Sequence, residues 1–173
     1  LLDVEPNAGH TGLAELEKDF NVTVVTQNVD NLHERAGSTH VIHLHGELTK
    51  VCSSRDPYNP RYVRELKPEE YEVKMGDKAG DGSQLRPFIV WFGEAVPEIE
   101  TAIGYVEKAD IFVIIGTSMN VYPAAGLLNY VPRTAEVYLI DPKPVDTHTS
   151  RSIHVIQKGA SEGMGELKQL LGV

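Results

Sequence analysis

The sequence is poor in cysteine, because Cys52 is the only one among 173 residues. A single thiol cannot form a disulfide within the chain, which excludes the disulfide-stapled scaffolds typical of small secreted proteins. We therefore expect a reducing compartment and predict a cytoplasmic protein. The chain also has no apolar run near the roughly 20 residues needed to cross a bilayer, so we expect no membrane partner.

Positive charge is also scarce, with 16 Lys and Arg residues against 25 Asp and Glu residues and a formal net charge of -9. Binding to a phosphate backbone requires a basic surface, so we expect no nucleic-acid partner. An acidic surface suits lysine-rich protein substrates, although solubility alone explains it equally well. There is no initiator methionine and no signal peptide at Leu1, and we interpret the chain as part of a longer protein.

Helical patterns and apolar strand patterns alternate along most of the chain. Largely apolar or β-branched segments predict strands at 22–26, 88–92, 111–115, 137–140 and 153–156, and alternation predicts a short strand at 40–48. Helical spacing and capping residues predict helices at about 8–19, 30–36, 97–109, 123–130 and 163–171. This alternation is typical of an α/β fold, and we predict a Rossmann-like parallel sheet with helices on both faces.

The segment 50–86 has a different composition, with three prolines, several glycines and only scattered large apolar side chains. We interpret it as a small inserted module with a helical turn near 59–66 or 68–71. The flanking segments, 1–49 and 87–173, then form the Rossmann-like domain.

Polar side chains follow the predicted strand at 22–26, where Gln27, Asn28 and Asp30 stand close together in sequence. In open parallel sheets, ligands bind beyond the carboxyl ends of the strands. Two amides and a carboxylate offer both donors and acceptors, so these residues are candidates for binding a ligand. The alternative is helix capping, because Asn28 or Asp30 could cap the helix expected at 30–36.

His45, which precedes the flexible Gly46, is a candidate general base, because imidazole exchanges protons near neutral pH. The alternative is an ordinary core or surface histidine. His43 lies on the same strand face, and with His33 or His40 these histidines could form a metal site. The sequence shows no third ligand at a fixed spacing, and we predict no metal.

Three further strand ends carry small or polar residues. Gly116 permits a close backbone approach, and the hydroxyls of Thr117 and Ser118 can bond a ribose or a phosphate, although an ordinary tight turn is the alternative. Asp141 can bind ribose hydroxyls, or it can be a solvated turn residue before proline. Ala160, after the last predicted strand, could line an adenine or could belong to a turn before the last helix.

The predicted strand at 88–92 ends at Gly93, and an edge strand of this kind can pair with an extended peptide. Glu94 stands at the end of that strand. The alternative is packing, with Trp91 and Phe92 in the core and Glu94 solvated.

Taken together, these motifs resemble the sirtuin family, the NAD-dependent protein lysine deacylases. Their order and spacing agree with the family over nearly the whole chain, apart from about 50–86. The matching motifs are TQNVDNLHERAG at 26–37, IHLHGEL at 42–48, PFIVWFGE at 87–94 and IGTS at 115–118, with Val121 and PAA at 123–125. The first motif is most similar to bacterial members of the class that includes desuccinylases.

The resemblance implies an NAD-dependent enzyme, a deacetylase or desuccinylase, that acts on acylated lysine side chains of proteins. The products would be nicotinamide, free lysine and O-acyl-ADP-ribose. His45 matches the catalytic histidine, which activates a ribose hydroxyl of NAD. The positions that match cofactor-binding residues are Gln27, Asn28 and Asp30 around nicotinamide and ribose, and Gly116, Thr117 and Ser118 around adenosine. The positions that match the two peptide-binding edges are Val90, Phe92, Gly93 and Glu94 on one edge and Val121 on the other.

The chain departs from the family in the inserted module, where members usually carry two Cys-x-x-Cys pairs that hold a structural zinc. Here Cys52 stands alone, and 53–86 has neither Cys nor His. One thiolate cannot build a tetrahedral four-ligand site, so we predict no zinc. We expect the module either to be poorly ordered or to be held by the packing of Val51, Tyr58, Tyr62, Val63, Leu66, Tyr71 and Val73.

A second departure concerns the family's Gly-Ala-Gly-x-Ser-type loop, which binds the diphosphate and does not occur before Leu1. We expect a sheet that is incomplete at the N-terminus, in keeping with a fragment. Two alternatives to a deacylase stay open. A protein ADP-ribosyltransferase would use the same NAD pocket, and a non-catalytic module would only bind NAD or ADP-ribose; the presence of His45 counts against the latter.

Overall fold

The computed structural model describes residues 3–117, 124–145 and 149–173, and the chain divides into two units. The first unit consists of Leu1–Val4, Thr26–Asn31 and His43–Val96. The second unit consists of Glu5–Val25, Leu32–Ile42 and Pro97–Val173.

Short helices and strands alternate along the described residues. The α-helices are α1 (Ala8–Leu16), α2 (Leu32–Arg35), α3 (Ile99–Val106) and α4 (Ala160–Leu171). The strands are β1 (Val24–Thr26), β2 (Val41–His43), β3 (Gly46–Ser53), β4 (Arg64–Glu65), β5 (Leu85–Ile89), β6 (Ile111–Ile115), β7 (Glu136–Ile140) and β8 (His154–Ile156). Turns of 3-10 helix occur at Pro60–Tyr62, Pro68–Glu70 and Ala124–Tyr130. Every described helix is too short or too polar to span a bilayer.

The second unit contains a parallel sheet in the order β6-β7-β8. Strands β6 and β7 are paired along their whole length, from Ile111 opposite Glu136 to Ile115 opposite Ile140. Four consecutive residues of β7, from Val137 to Ile140, are buried, as expected for a strand that is covered on both faces. The parallel sheet and its alternation with helices confirm the predicted α/β class.

Helices α1 and α4 supply much of the hydrophobic core of this unit. The buried side chains of the core are Leu16, Tyr138, Ile140, Ile156, Met164 and Leu167. Helix α1 begins where it does because the side chain of Asn7 accepts hydrogen bonds from the N–H groups of Gly9, at 2.9 Å, and His10, at 3.3 Å. Asn7 is therefore the N-cap of α1.

Several predicted helix boundaries are wrong by a few residues. Helix α1 ends at Leu16, because the next residues form tighter bonds such as Glu17 N–H to the Ala14 carbonyl at 3.3 Å. The helix expected at 123–130 is a 3-10 helix over Ala124–Tyr130. Helix α4 begins three residues earlier than predicted, at Ala160, directly after the N-cap residue Gly159.

The first unit contains an antiparallel sheet in the order β4-β3-β5. In this sheet Cys52 lies opposite Arg86 and Gly46 lies opposite Ile89, with an irregularity in register between Glu47 and Val51. The sheet therefore joins residues of the segment 50–86 to residues on either side of it.

Two predicted strands have different bounds in the structure. The stretch 40–48 is divided, because the chain turns between β2 and β3. The strand expected at 88–92 is β5, which lies at Leu85–Ile89 and pairs antiparallel to β3. After Ile89 the Val90 N–H still donates to the His45 carbonyl at 2.9 Å, and the chain then turns at 91–94, where the Glu94 N–H donates to the Trp91 carbonyl.

The segment 50–86 has a small core of its own. Val51, Ala79 and Leu85 are buried in it, and Leu66 and Val73 pack against them. The expected packing is therefore confirmed for Val51, Leu66 and Val73. It is wrong for Tyr71, which is 77% exposed.

Candidate functional site

The polar stretch after β1 is held by hydrogen bonds on both its side chains and its backbone. Thr26 is buried, and its Oγ1 accepts a hydrogen bond from the Asn28 N–H at 3.0 Å. The Thr26 carbonyl accepts from the Leu44 N–H at 2.9 Å, and the Val29 carbonyl accepts from the Leu48 N–H at 2.8 Å. These bonds place the stretch containing Gln27 and Asn28 alongside the turn that carries His45.

The structure also bears on the capping alternative for this stretch. Helix α2 begins at Leu32. Its N-cap position therefore falls at Asn31 rather than at Asn28 or Asp30.

His45 lies in the turn between β2 and β3 and is half-buried. Its ring Nδ1 lies 3.1 Å from the Gln27 carbonyl oxygen. A carbonyl can only accept, so Nδ1 must carry the proton of this hydrogen bond. In the neutral ring, Nε2 then holds the lone pair, which is the arrangement that a general base requires.

The backbone on the other side of His45 is equally constrained. The His45 carbonyl accepts the hydrogen bond from the Val90 N–H, so the turn is tied to the end of β5. Gly46 has a φ of +78, and a Cβ at this position would lie 2.2 Å from the Phe88 carbonyl oxygen. Only glycine allows β3 to begin this close to β5 directly after the histidine.

The turn after β5 carries the residues predicted to bind a peptide, from Val90 to Glu94. Phe92 is fully exposed and Trp91 is 53% exposed, so the alternative that places both in the core is wrong. The Glu94 carboxylate accepts two hydrogen bonds from Arg86, at 2.7 and 2.9 Å, and one from the Trp91 N–H at 3.0 Å. The bonds from Arg86 and then from Trp91 lower the pKa of Glu94 to about 2.

In the second unit, the predicted nucleotide-binding residues follow neighbouring parallel strands. Gly116 follows β6, and its N–H donates to the Ile140 carbonyl at 2.9 Å. Asp141 follows β7, and its Oδ1 accepts from the Lys143 N–H at 2.8 Å. The sheet therefore brings Gly116, Thr117 and Asp141 to one edge. The bond from Lys143 to Asp141 closes a turn, as the alternative of a turn residue predicts.

Ala160 is the first residue of α4, and the N-cap before it is Gly159. The helix follows the end of β8 after a short connection. Ser118 and Val121, predicted for the adenosine loop and the second peptide edge, lie outside the described residues.

The residues of the segment 50–86 do not fit a structural zinc. Cys52 is fully buried in β3, its Sγ lies 3.7 Å from the Pro87 carbonyl, and burial raises the pKa of the thiol. Zinc binds the thiolate, and a tetrahedral site needs three further ligands. The next residue, Ser53, instead links β3 to a distant loop through a hydrogen-bonded cross-link.

That cross-link is a hydrogen-bond cluster of Ser53, Asp81 and Ser83, which joins β3 to the loop before β5. Ser53 Oγ donates to Asp81 Oδ2 at 2.7 Å, and Ser83 Oγ donates to Oδ1 at 2.7 Å. Ser53 Oγ also accepts from the N–H groups of Arg55 and Asp56, both at 3.0 Å. The sequence does not indicate this cluster, because a serine and an aspartate 28 residues apart give no local signal.

We expect the purified protein to contain no stoichiometric zinc, and we expect a chelator to leave its thermal unfolding midpoint unchanged. The physical reason is that a neutral buried thiol and a satisfied serine–aspartate cluster offer no tetrahedral donor set. Metal analysis by mass spectrometry checks the first point, and a melting curve with and without chelator checks the second. One zinc per chain would contradict the expectation that no zinc is bound.

We also expect Asp81→Asn to lower the free energy of unfolding in a pH-dependent way. Hydrogen bonds from Ser53 and Ser83 lower the pKa of Asp81 to about 2. Because this value lies below the ordinary value of about 3.9, the carboxylate stabilises the fold above about pH 4, and that stabilisation is lost as the pH falls towards 2.

Chemical unfolding at several pH values checks this expectation. The difference between the original protein and the variant should shrink as the pH falls from 4 to 2. Ser53→Ala should behave in the same way, because it removes the first donor. A difference that stays constant over that range would show that the carboxylate is not held by the cluster.

Comparison with known proteins identifies similar sequences over almost the whole chain. The Sir2 family model matches residues 1–123. An NAD-dependent protein deacylase of Bacteroides thetaiotaomicron is 86% identical over 171 residues, which cover 99% of this chain and 73% of that protein. A protein of the same name from Helicobacter pylori is 48% identical over 167 residues, which cover 96% of this chain and 70% of that protein.

Solved structures give the same result. The crystal structure of a Sir2 homolog–NAD complex has a TM-score of 0.82 and 36% identity, over 98% of this chain and 66% of that chain. A Sir2–p53 peptide–NAD+ structure has a TM-score of 0.81 and 29% identity, over 99% of this chain and 72% of that chain. This chain therefore spans between two thirds and three quarters of the length of these proteins.

Proposed function

The chain belongs to the Sir2 family, and we propose that it takes part in the NAD-dependent removal of acyl groups from lysine side chains of proteins. The observation that carries the proposal is the geometry of His45. Its Nδ1 is bonded to the Gln27 carbonyl, so its Nε2 holds the lone pair, and its own carbonyl is bonded to Val90. A candidate base is thereby held next to Gln27, which we propose binds the cofactor, and next to Val90, which we propose binds the peptide.

The residues present fit NAD. The amides of Gln27 and Asn28 and the carboxylate of Asp30 supply donors and acceptors suited to nicotinamide and ribose. At the strand ends of the second unit, the Thr117 hydroxyl and the Asp141 carboxylate suit the ribose of adenosine. The remaining residues of the proposed cofactor site are Gly116, Ser118 and Ala160.

In the proposed reaction, NAD supplies the ribose carbon that bonds to the acyl oxygen, and nicotinamide leaves. His45 then takes a proton from the ribose 2′-hydroxyl through Nε2, so that this oxygen can attack the acyl carbon. The Gln27 carbonyl keeps the ring in the required tautomer and holds the Nδ1 proton throughout. One water molecule then adds to the acyl carbon and the lysine nitrogen leaves that carbon as the free amine, so the products are nicotinamide, free lysine and O-acyl-ADP-ribose.

The peptide is proposed to bind at the turn after β5, where Val90, Phe92, Gly93 and Glu94 lie, and we propose that Val121 also binds it. The exposure of Phe92 and Trp91 supports this role, because large exposed aromatic side chains are typical of protein-binding surfaces. The Glu94 carboxylate already accepts hydrogen bonds from Arg86 and Trp91. We therefore propose that it maintains the conformation of the turn. We also propose a cytoplasmic location, which the single cysteine supports.

Mass spectrometry of the products tests this function. The protein at its natural length is incubated with NAD and an acetylated or a succinylated lysine peptide. We expect free lysine peptide, nicotinamide and O-acyl-ADP-ribose in equal amounts, with the faster peptide identifying the acyl group. An ADP-ribosylated protein with no free lysine would show a transferase instead, and NAD that is bound but not consumed would show a binding module.

A further inference from the structure

Arg86 of β5 is bonded to both ends of the turn that follows its strand. Its Nη1 donates to Glu94 Oε1 at 2.7 Å, and its Nη2 donates to Glu94 Oε2 at 2.9 Å. The same Nη2 donates to the Ile89 carbonyl at 2.8 Å. One guanidinium therefore fixes the residue where β5 ends and the residue where the turn closes.

The rest of the turn depends on this arrangement. Glu94 Oε2 accepts from the Trp91 N–H at 3.0 Å, and the Glu94 N–H donates to the Trp91 carbonyl at 3.0 Å. Gly93, between them, has a φ of +90, which favours glycine. With the backbone of Trp91 and Glu94 closed on itself, the side chains of Trp91 and Phe92 are left exposed to solvent.

A second contact fixes the chain beyond the turn. The Tyr58 hydroxyl donates to the Ala95 carbonyl at 3.2 Å, and the Tyr58 ring meets the Phe88 ring edge-on, with 6.4 Å between centroids. The turn is thus anchored by Arg86, which bonds to Ile89 and Glu94, and by Tyr58, which bonds to Ala95 after it.

Stability alone explains Arg86 poorly. Its side chain is only 19% exposed, and its buried Nε has no hydrogen-bond partner among the described residues. Desolvation of the guanidinium and its unsatisfied N–H oppose the attraction, so the net stabilisation by the ion pair is smaller than the lowered pKa of Glu94 alone would give. A planar guanidinium does, however, impose a two-point geometry on a carboxylate that lysine cannot reproduce.

We propose that Arg86 is a positioning residue: through Glu94 it holds the 90–94 turn in the shape that receives the acyl-lysine peptide. This inference rests on the proposed function for its substrate, but not for the geometry of the turn. Arg86 itself does not touch the reacting atoms. Its effect is expected in the affinity for peptide, whereas binding of NAD should be independent of it.

Kinetics of Arg86→Ala and Arg86→Lys test the proposal, with Arg64→Ala as the matched control. Arg64 lies in the same unit and pairs with Glu70 at 3.0 Å, but its ion pair is exposed. We expect Arg86→Ala to raise KM for the acyl peptide about tenfold, since the lost positioning corresponds to roughly 1.4 kcal/mol. The KM for NAD and kcat should change by less than about threefold, and Arg86→Lys should restore little, because it cannot bond in two places.

Trp91 supplies a second readout that does not depend on activity, because it is the only tryptophan of the 173 residues. Arg86→Ala and Glu94→Gln should shift the Trp91 emission and increase its quenching by acrylamide, whereas Arg64→Ala should change neither. Far-UV circular dichroism confirms that each variant is folded. If Arg86→Ala proves unfolded, Glu94→Gln, which keeps the side-chain shape, decides the result.

The two readouts separate the two proposals. Unchanged Trp91 emission in the folded Arg86 and Glu94 variants would overturn the positioning role, as would altered emission with an unchanged peptide KM. Absence of deacylation by the unaltered protein would instead refute the proposed function. In that case no KM for peptide can be measured. Altered Trp91 emission would then show that Arg86 shapes the turn, but the role of this turn in binding an acyl-lysine peptide would be refuted.

Discussion

His45→Ala should lower the rate of lysine deacylation by at least about a hundredfold, since a positioned general base contributes on the order of 10² to 10⁴ in rate. The expectation follows from the bond between Nδ1 and the Gln27 carbonyl, which leaves the lone pair on Nε2. Alanine keeps the backbone bond to Val90 but has no group that can accept the proton. Initial rates with acyl peptide and NAD measure the effect.

The matched control is His43→Ala. His43 is the other histidine of this segment, and its Nδ1 makes a similar contact, 3.2 Å from the Asn28 carbonyl oxygen. It has no assigned part in the reaction, so the rate should stay within a factor of about three. Equal losses in the two variants would show that the histidines only support the fold of the turn.

Gly46→Ala should destabilise the first unit strongly and remove activity with it. An added Cβ would meet the Phe88 carbonyl at 2.2 Å and Ile89 Cα at 2.9 Å, and these are backbone atoms that no rotamer change can move. The positive φ adds its own strain. Together these costs amount to roughly 2–5 kcal/mol, from strain of about 1–2 kcal/mol and overpacking of about 1–3 kcal/mol.

Gly82→Ala separates the two causes. Gly82 has nearly the same φ, +79 against +78, but nothing lies within 4 Å of an added Cβ. It should therefore lose only the strain of about 1–2 kcal/mol. Urea unfolding of both variants measures the difference. Equal losses would mean that β3 and β5 do not approach as closely as the pairing of Gly46 with Ile89 indicates.

Much of the candidate site could be predicted because its residues are close in sequence. The run from Val24 to Thr26 is an apolar strand followed at once by polar residues, and His45 precedes a glycine that the turn requires. The parallel strands β6 and β7 were equally clear, because each contains a continuous apolar run, at 111–115 and 137–140. In each case the local pattern and the final environment agree.

The features that could not be predicted depend on distant pairings. The run from Phe88 to Phe92 has high strand propensity, but its register is set by β3, more than 30 residues away, which stops β5 at Ile89. The Arg86–Glu94 pair exists only because the chain turns back at Gly93. Single-sequence patterns carry no information on such contacts, which depend on the tertiary structure.

The most direct measurement separates the two chemical stages in His45→Ala. Labelled nicotinamide is supplied with NAD and acyl peptide, and its exchange into NAD is followed beside the release of free lysine. Because the proposed role of His45 follows the departure of nicotinamide, we predict that exchange continues while free lysine is not formed. Loss of both stages, or of neither, would contradict the role of His45 as the base that takes the proton from the ribose hydroxyl.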